Sequence, residues 1–226
     1  VTNLADRVVA AFEPARDPVA AEPMAHYMRD QFPFLGIPSS DRRARQRRAL
    51  SGWRAERTSL LSGARALWRR PEREYQYAAC DALIRGARLL SSHDLAIVAG
   101  LITTKSWWDT VDALAIGVVG PVVLADRAAG DPVIDEWIAS DDRWLARSAI
   151  LHQNKWKAAT DERRLFRLCL ARAADTDFFV RKAIGWALRE YSKTAPDAVR
   201  GFVAAHDDEL SGLSKREGLK RLARGT

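Results

Sequence analysis

Trp144–Ile150 reads WLARSAI, and Phe178–Ile184 reads FFVRKAI. Both stretches open on an aromatic residue and carry arginine fourth, alanine sixth and isoleucine seventh, and the second follows the first by 34 residues. In the same frame Trp107–Ala113, WWDTVDA, begins 37 residues before Trp144, and Tyr75–Asp81, YQYAACD, begins 32 residues before that. A repeat of this length, with room for two helices, points to a stack in which each unit buries its apolar face on its neighbours. The rest of the chain agrees. Leu165, Phe166, Leu168, Cys169 and Leu170 recur at helical spacing, as do Phe178, Phe179, Ala183, Ile184, Ala187 and Leu188. Asp131-Pro132 reads as a helix start, as do Ser39-Ser40-Asp41 and Ala195-Pro196-Asp197 more loosely. No alternating strand pattern and no Asn-Gly or Asp-Gly hairpin turn occurs. Val118–Val123 is the best strand candidate, and Gly117-Val-Val-Gly120-Pro121 reads as a helix end. The expected fold is all-α: one α-solenoid domain over residues 1–226, with one helix of each pair lining a long concave face.

The 226 residues carry a net charge of +7, and the excess is mostly arginine. Arginine makes planar two-pronged contacts with phosphate, so an anionic partner is expected. Arg42, Arg43, Arg45, Arg47 and Arg48 fall within seven residues, and further cations recur through the later repeats. Aromatic residues are interleaved with them: Tyr27, Trp108, Trp144, Trp156 and Trp186. A solvated helical face explains any one such run. A basic stripe crossing several repeats fits a nucleic-acid groove. The two cysteines, Cys80 and Cys169, sit in apolar helical runs, and the four histidines have no zinc spacing. A zinc site, disulfide framework or other cofactor is therefore not expected. No apolar run is read as reaching the 18 or so residues that span a bilayer, and no signal peptide is visible. The expectation is a cytoplasmic monomer without a membrane span.

Asp112 breaks the repeat. Its frame-mates are Ala149 and Ala183, and a frame set on Trp108 pairs it with Ser148 and Lys182 instead. A buried, unpaired carboxylate costs several kcal/mol or shifts its pKa upward, so Asp112 must face a cleft or have a partner. Asp109 reads as exposed or helix-capping.

These features lie inside a longer pattern. AEPMAHYMRDQFPFLGI (Ala21–Ile37), PEREYQYAA (Pro71–Ala79), TKSWWDTVD (Thr104–Asp112), WIASDDRWLARSAIL (Trp137–Leu151), FFVRKAIGWALREYSKTAPD (Phe178–Asp197) and LSKRE (Leu213–Glu217) occur in this order. Together they resemble the DNA alkylation repair glycosylases of the AlkD type, which are built from HEAT-like repeats, over almost the whole chain. The resemblance implies an enzyme that cleaves the N-glycosidic bond of alkylated, positively charged purines such as 3-methyladenine and 7-methylguanine in duplex DNA. The family's catalytic aspartate matches Asp112, and its two sugar-facing tryptophans match Trp108 and Trp186. Its DNA-contacting arginine matches Arg147, and Tyr27 and Arg189 fall in matching blocks as further DNA contacts. The resemblance also implies that the base is not drawn into a tight pocket.

Those residue types suit that chemistry. As the bond to a cationic purine stretches, positive charge moves onto the deoxyribose, and the transition state resembles an oxocarbenium ion. A carboxylate and two indole faces supply negative potential there. Lys105 is the one lysine in the KSWWDTVD stretch, so no Schiff-base lyase step is expected. The competing expectations are a non-catalytic solenoid that binds branched or flapped DNA, and a protein-binding scaffold.

Overall fold

The structure is a computed structural model that describes residues 3–224. Every regular element among them is helical. Packing divides the chain into two compact units, residues 1–90 and 91–226.

Unit 1 contains α1 (Leu4–Phe12), α2 (Pro18–Tyr27), α3 (Ser39–Ala49), α4 (Arg57–Arg69) and α5 (Arg73–Arg85). α4 packs along α5, and α1 rests on α3 and α4. Leu4, Val8, Phe12, Leu60, Leu67, Tyr75 and Leu83 form its core. Phe12 stacks on Tyr75 with ring centroids 5.9 Å apart. A buried carboxylate holds the loop before α3: Glu74, 1% exposed, accepts the N–H groups of Leu35 at 2.8 Å, Gly36 at 2.9 Å and Ile37 at 3.1 Å. Three charge-assisted bonds to one ion offset the cost of burying it. Gly36 has φ 88°, and a Cβ there would lie 2.0 Å from the Asp17 carbonyl oxygen, so the loop requires glycine.

Unit 2 contains α6 (Leu95–Ile102), α7 (Trp108–Leu114), α8 (Gly120–Ala125), α9 (Arg127–Ala139), α10 (Arg143–Leu151), α11 (Glu162–Ala171), α12 (Phe178–Tyr191), α13 (Pro196–Ala205) and α14 (Gly212–Leu219). α10 packs against α7, α9 and α12, and α12 packs against α14. The repeat is visible as a ring cluster. Trp107 meets Trp144 at 6.1 Å and Phe179 at 5.3 Å, and Trp144 meets Phe179 at 4.8 Å. Phe179 therefore takes the place that the sequence frame gave to Phe178, a shift of one residue. The caps agree. Asp142 accepts from Trp144 N at 2.8 Å and Leu145 N at 3.1 Å, and Asp177 accepts from Phe179 N at 2.7 Å and Val180 N at 3.2 Å. Each cap satisfies N–H groups that the helix leaves open at its start.

Four expectations change. Val118–Val123 is helical, not a strand. Gly117–Pro121 does not end a helix, because Trp108–Ala125 runs on through a π turn at Ala115–Val119. That helix has 18 residues and a mean hydropathy of 1.5, so a segment long and apolar enough to cross a membrane does exist. It serves as a core helix here, with Val111, Leu114, Ala115, Val118, Val119, Val122 and Val123 buried. Asp131-Pro132 lies inside α9, whose cap is Asp126, accepting from Ala129 N at 3.1 Å. As expected, both cysteines are buried, and burial pushes the Cys169 thiol up to about 12.

The π turn widens the helix where it meets the end of α10. A Cβ on Gly120 would lie 2.3 Å from the His152 carbonyl oxygen. Backbone cannot yield as a flexible side chain does, so Gly120→Ala is expected to lower stability by about 1–3 kcal/mol. Thermal unfolding checks this, at about 2–4 °C per kcal/mol for a chain of this size. An unchanged midpoint would show that the helices re-space without cost.

Candidate active site

The entry to α7 is shaped by an uncommon backbone conformation. Lys105 has φ 53°, in the left-handed region that non-glycine residues seldom occupy. Ser106 Oγ donates to the Ile102 carbonyl at 2.6 Å and so caps the end of α6. Trp107 is then extended and joins the ring cluster, while Trp108 opens α7 and is 37% exposed. Asp112 follows one helical turn later, on the same face as Trp108.

Asp112 is 9% exposed and Arg147, from α10, is 4% exposed. Arg147 Nε donates to Asp112 Oδ1 and Nη2 donates to Oδ2, both at 2.7 Å. The remaining terminal nitrogen, Nη1, donates to the Phe179 carbonyl on α12. One guanidinium thus joins three helices, and the carboxylate that broke the repeat has its partner. Burial pushes the Asp112 carboxyl up from its ordinary value, and the Arg147 guanidinium pulls against that rise. A guanidinium does not deprotonate in a protein, so a neutral Asp112 would leave a buried cation without its counter-charge. The ion pair is the better resting state.

Trp186 lies on α12, two turns beyond Phe179, and is half-buried. Arg189 follows it by three residues and donates to Glu217 on α14. Lys182 Nζ reaches the other oxygen of Glu217 at 2.7 Å. Lys182 and Arg189 hold the Glu217 carboxyl below its ordinary value. Gly185 permits this approach, since a Cβ there would lie 2.5 Å from Glu217 Cβ. Tyr27 ends α2 in unit 1 and is 74% exposed.

Unit 2 therefore brings Asp112 and Arg147 into direct contact, with Trp108 one turn away, and carries Trp186 and Arg189 on α12. Arg147, which the resemblance places against DNA, has a buried side chain with three of its nitrogens engaged within the protein. Three features escaped the sequence reading: the Phe179 carbonyl as an anchor, the Trp107–Trp144–Phe179 cluster, and Glu217 as a tether for Arg189. The Asp-X-aromatic sequence at Asp142 and again at Asp177, 35 residues on, was the available signal for the correct register.

Residues 8–222 match the family described as DNA alkylation repair enzyme. The chain belongs to that family. A solved structure described as a predicted DNA alkylation repair enzyme from Enterococcus faecalis is also similar, with 31% identity and a TM-score of 0.84. The match covers 93% of this chain and 98% of that one. A comparison with curated proteins finds no match. Membership of the DNA alkylation repair family supports a DNA repair role, and the helical-repeat architecture agrees with it.

Proposed function

We propose that this DNA alkylation repair family member is a monofunctional DNA glycosylase acting on cationic alkylated purines in duplex DNA. The observation that carries the reading is the Asp112–Arg147 ion pair, set one turn from an exposed indole in a chain of this family. The bond between the anomeric carbon and the purine nitrogen breaks, and its electron pair leaves with the purine and cancels the purine's positive charge. The cation that remains on the deoxyribose is stabilised by the Asp112 carboxylate and by the faces of Trp108 and Trp186, each indole contributing about 0.5–2 kcal/mol. Water adds to the anomeric carbon and loses a proton, giving an abasic site and free base. Arg147 keeps Asp112 ionised and aimed, while Tyr27 and Arg189 contact the DNA. Selection follows the charge of the leaving group, so the base stays within the duplex. The enzyme acts as a cytosolic monomer without metal or cofactor.

The burial of Asp112, with both oxygens on Arg147, favours a second reading in which the pair is structural and the protein binds branched DNA without excising anything. Base release separates the two. Duplex DNA carrying 7-methylguanine should yield free base, an uncharged lesion should yield far less, and borohydride should trap no covalent complex. No release of any cationic base would support the structural reading.

The pH profile gives a further check. Activity needs the ionised form of Asp112, so the rate should fall as pH drops through its pKa. Because burial raises that pKa, the acid limb should lie above the ordinary aspartate value of about 3.9. Arg147→Gln removes the group that lowers the pKa and should move the limb higher still. Single-turnover rates across pH, corrected for spontaneous depurination, report both. A limb at the ordinary value in both proteins would remove Asp112 from the rate-limiting step.

A further inference from the structure

Unit 1 contains a groove of about 800 Å³ between α3, the loop that follows it and the C-terminal end of α5. Arg43 and Arg47 reach it from α3, Arg54 from the loop, and Arg85 and Arg88 from the end of α5. Their neighbours are already neutralised: Arg42 is paired with Asp81 at 2.8 Å and Arg45 with Asp41 at 2.7 Å. Asp81, the one carboxylate lining the groove, is thus occupied. No side chain of these five arginines makes a hydrogen bond or ion pair with another described residue. Helix dipoles account for Arg47 and Arg85, which lie in the last turns of α3 and α5. They do not account for Arg43, Arg54 and Arg88. Five like charges facing one space repel each other, and a polyanion relieves that repulsion.

The floor of the groove identifies the kind of polyanion. Gly52, at φ 71°, turns the chain after α3, and Trp53 follows it into the groove wall beside Leu50 and Ile84, the last 39% exposed. The outside of a duplex presents phosphate and sugar and offers little to an apolar floor. An unpaired strand presents phosphates and flat base faces together, which is what arginines around a tryptophan accommodate.

We propose that this groove binds an unpaired stretch of nucleic acid, with Arg43, Arg47, Arg54, Arg85 and Arg88 facing its phosphates and Trp53 against a base. The assignment does not depend on the glycosylase reading.

Anisotropy of a short fluorescein-labelled oligothymidylate, titrated with the full-length protein, tests it. Trp53→Ala should weaken binding about tenfold, and Trp53→Phe should restore most of the loss, because an aromatic face for stacking is what alanine lacks. Arg43→Gln/Arg47→Gln should reduce the slope of log Kd against log salt by about 1.4, at about 0.7 per lost single-strand phosphate contact. These two arginines are exposed, so that variant reports on the groove even if Trp53→Ala folds poorly. Equal affinity of wild type, Trp53→Ala and the double-arginine variant for the oligonucleotide overturns the proposal. Displacement of the oligonucleotide by polyglutamate as effectively as by unlabelled oligothymidylate also overturns it, and would mark a docking surface for acidic protein. Loss of duplex affinity alone in the double-arginine variant would make the groove a duplex-backbone contact. Base release by the wild-type protein is measured separately, so a protein that excises nothing yet holds the oligonucleotide through Trp53 sinks the glycosylase and leaves the groove standing.

Discussion

Asp112→Asn is expected to slow release of 7-methylguanine from duplex DNA by about 10²–10³-fold while duplex affinity changes little. A unit charge about 4 Å from the developing sugar cation, at an effective dielectric near 20, contributes on the order of 4 kcal/mol, or about a thousandfold in rate. The Arg147 guanidinium behind the carboxylate cancels part of that field, which sets the lower end of the range. Asparagine keeps the shape and can still accept one bond from Arg147. Single-turnover rates with enzyme in excess isolate the chemical step, and a binding titration on the same duplex shows whether the complex still forms. Equal rates for the two proteins would leave Asp112 without a chemical role.

Arg147→Leu is the substitution expected to cost the most stability. It leaves Asp112 buried without its counter-charge and removes the link from α10 to the Phe179 carbonyl. Breaking one side of a buried pair costs about 3–5 kcal/mol. Removing both charges is milder, because a well-packed apolar pair replaces a buried ion pair at little cost. Asp112→Leu/Arg147→Leu should therefore recover most of the loss. Denaturant unfolding of the two single variants and the double variant measures the coupling. If the double variant is as unstable as the sum of the singles, the two side chains do not act as a pair.

Much of this architecture is legible in the sequence because repeats reuse one solution. The aromatic that opens α10 and the alanines beneath it state the period directly. The exact register was lost at Phe178-Phe179, where two identical rings stand side by side and only packing shows which one is buried. The Trp108–Ala125 helix was obscured by Gly117, Gly120 and Pro121, which mark helix ends in most contexts. Here the glycine permits a close approach, and proline falls where the π turn has already interrupted the usual hydrogen bonds. The anomaly at Asp112 was readable, and so was its need for a partner. That the partner is Arg147 depends on contacts 35 residues apart, which periodicity alone does not encode. The anchoring of Arg147 on a backbone carbonyl carries no side-chain signature at all.

Stacked helical repeats ordinarily hold together only through nearest neighbours, so that one end can fray while the rest stays folded. The Arg147 guanidinium bridges α7 and α12 from α10, and so fastens three successive layers with a single planar group. That bridge couples the opening of these layers to one another. The atoms that would meet a damaged nucleotide are thereby insulated from loosening at either terminus.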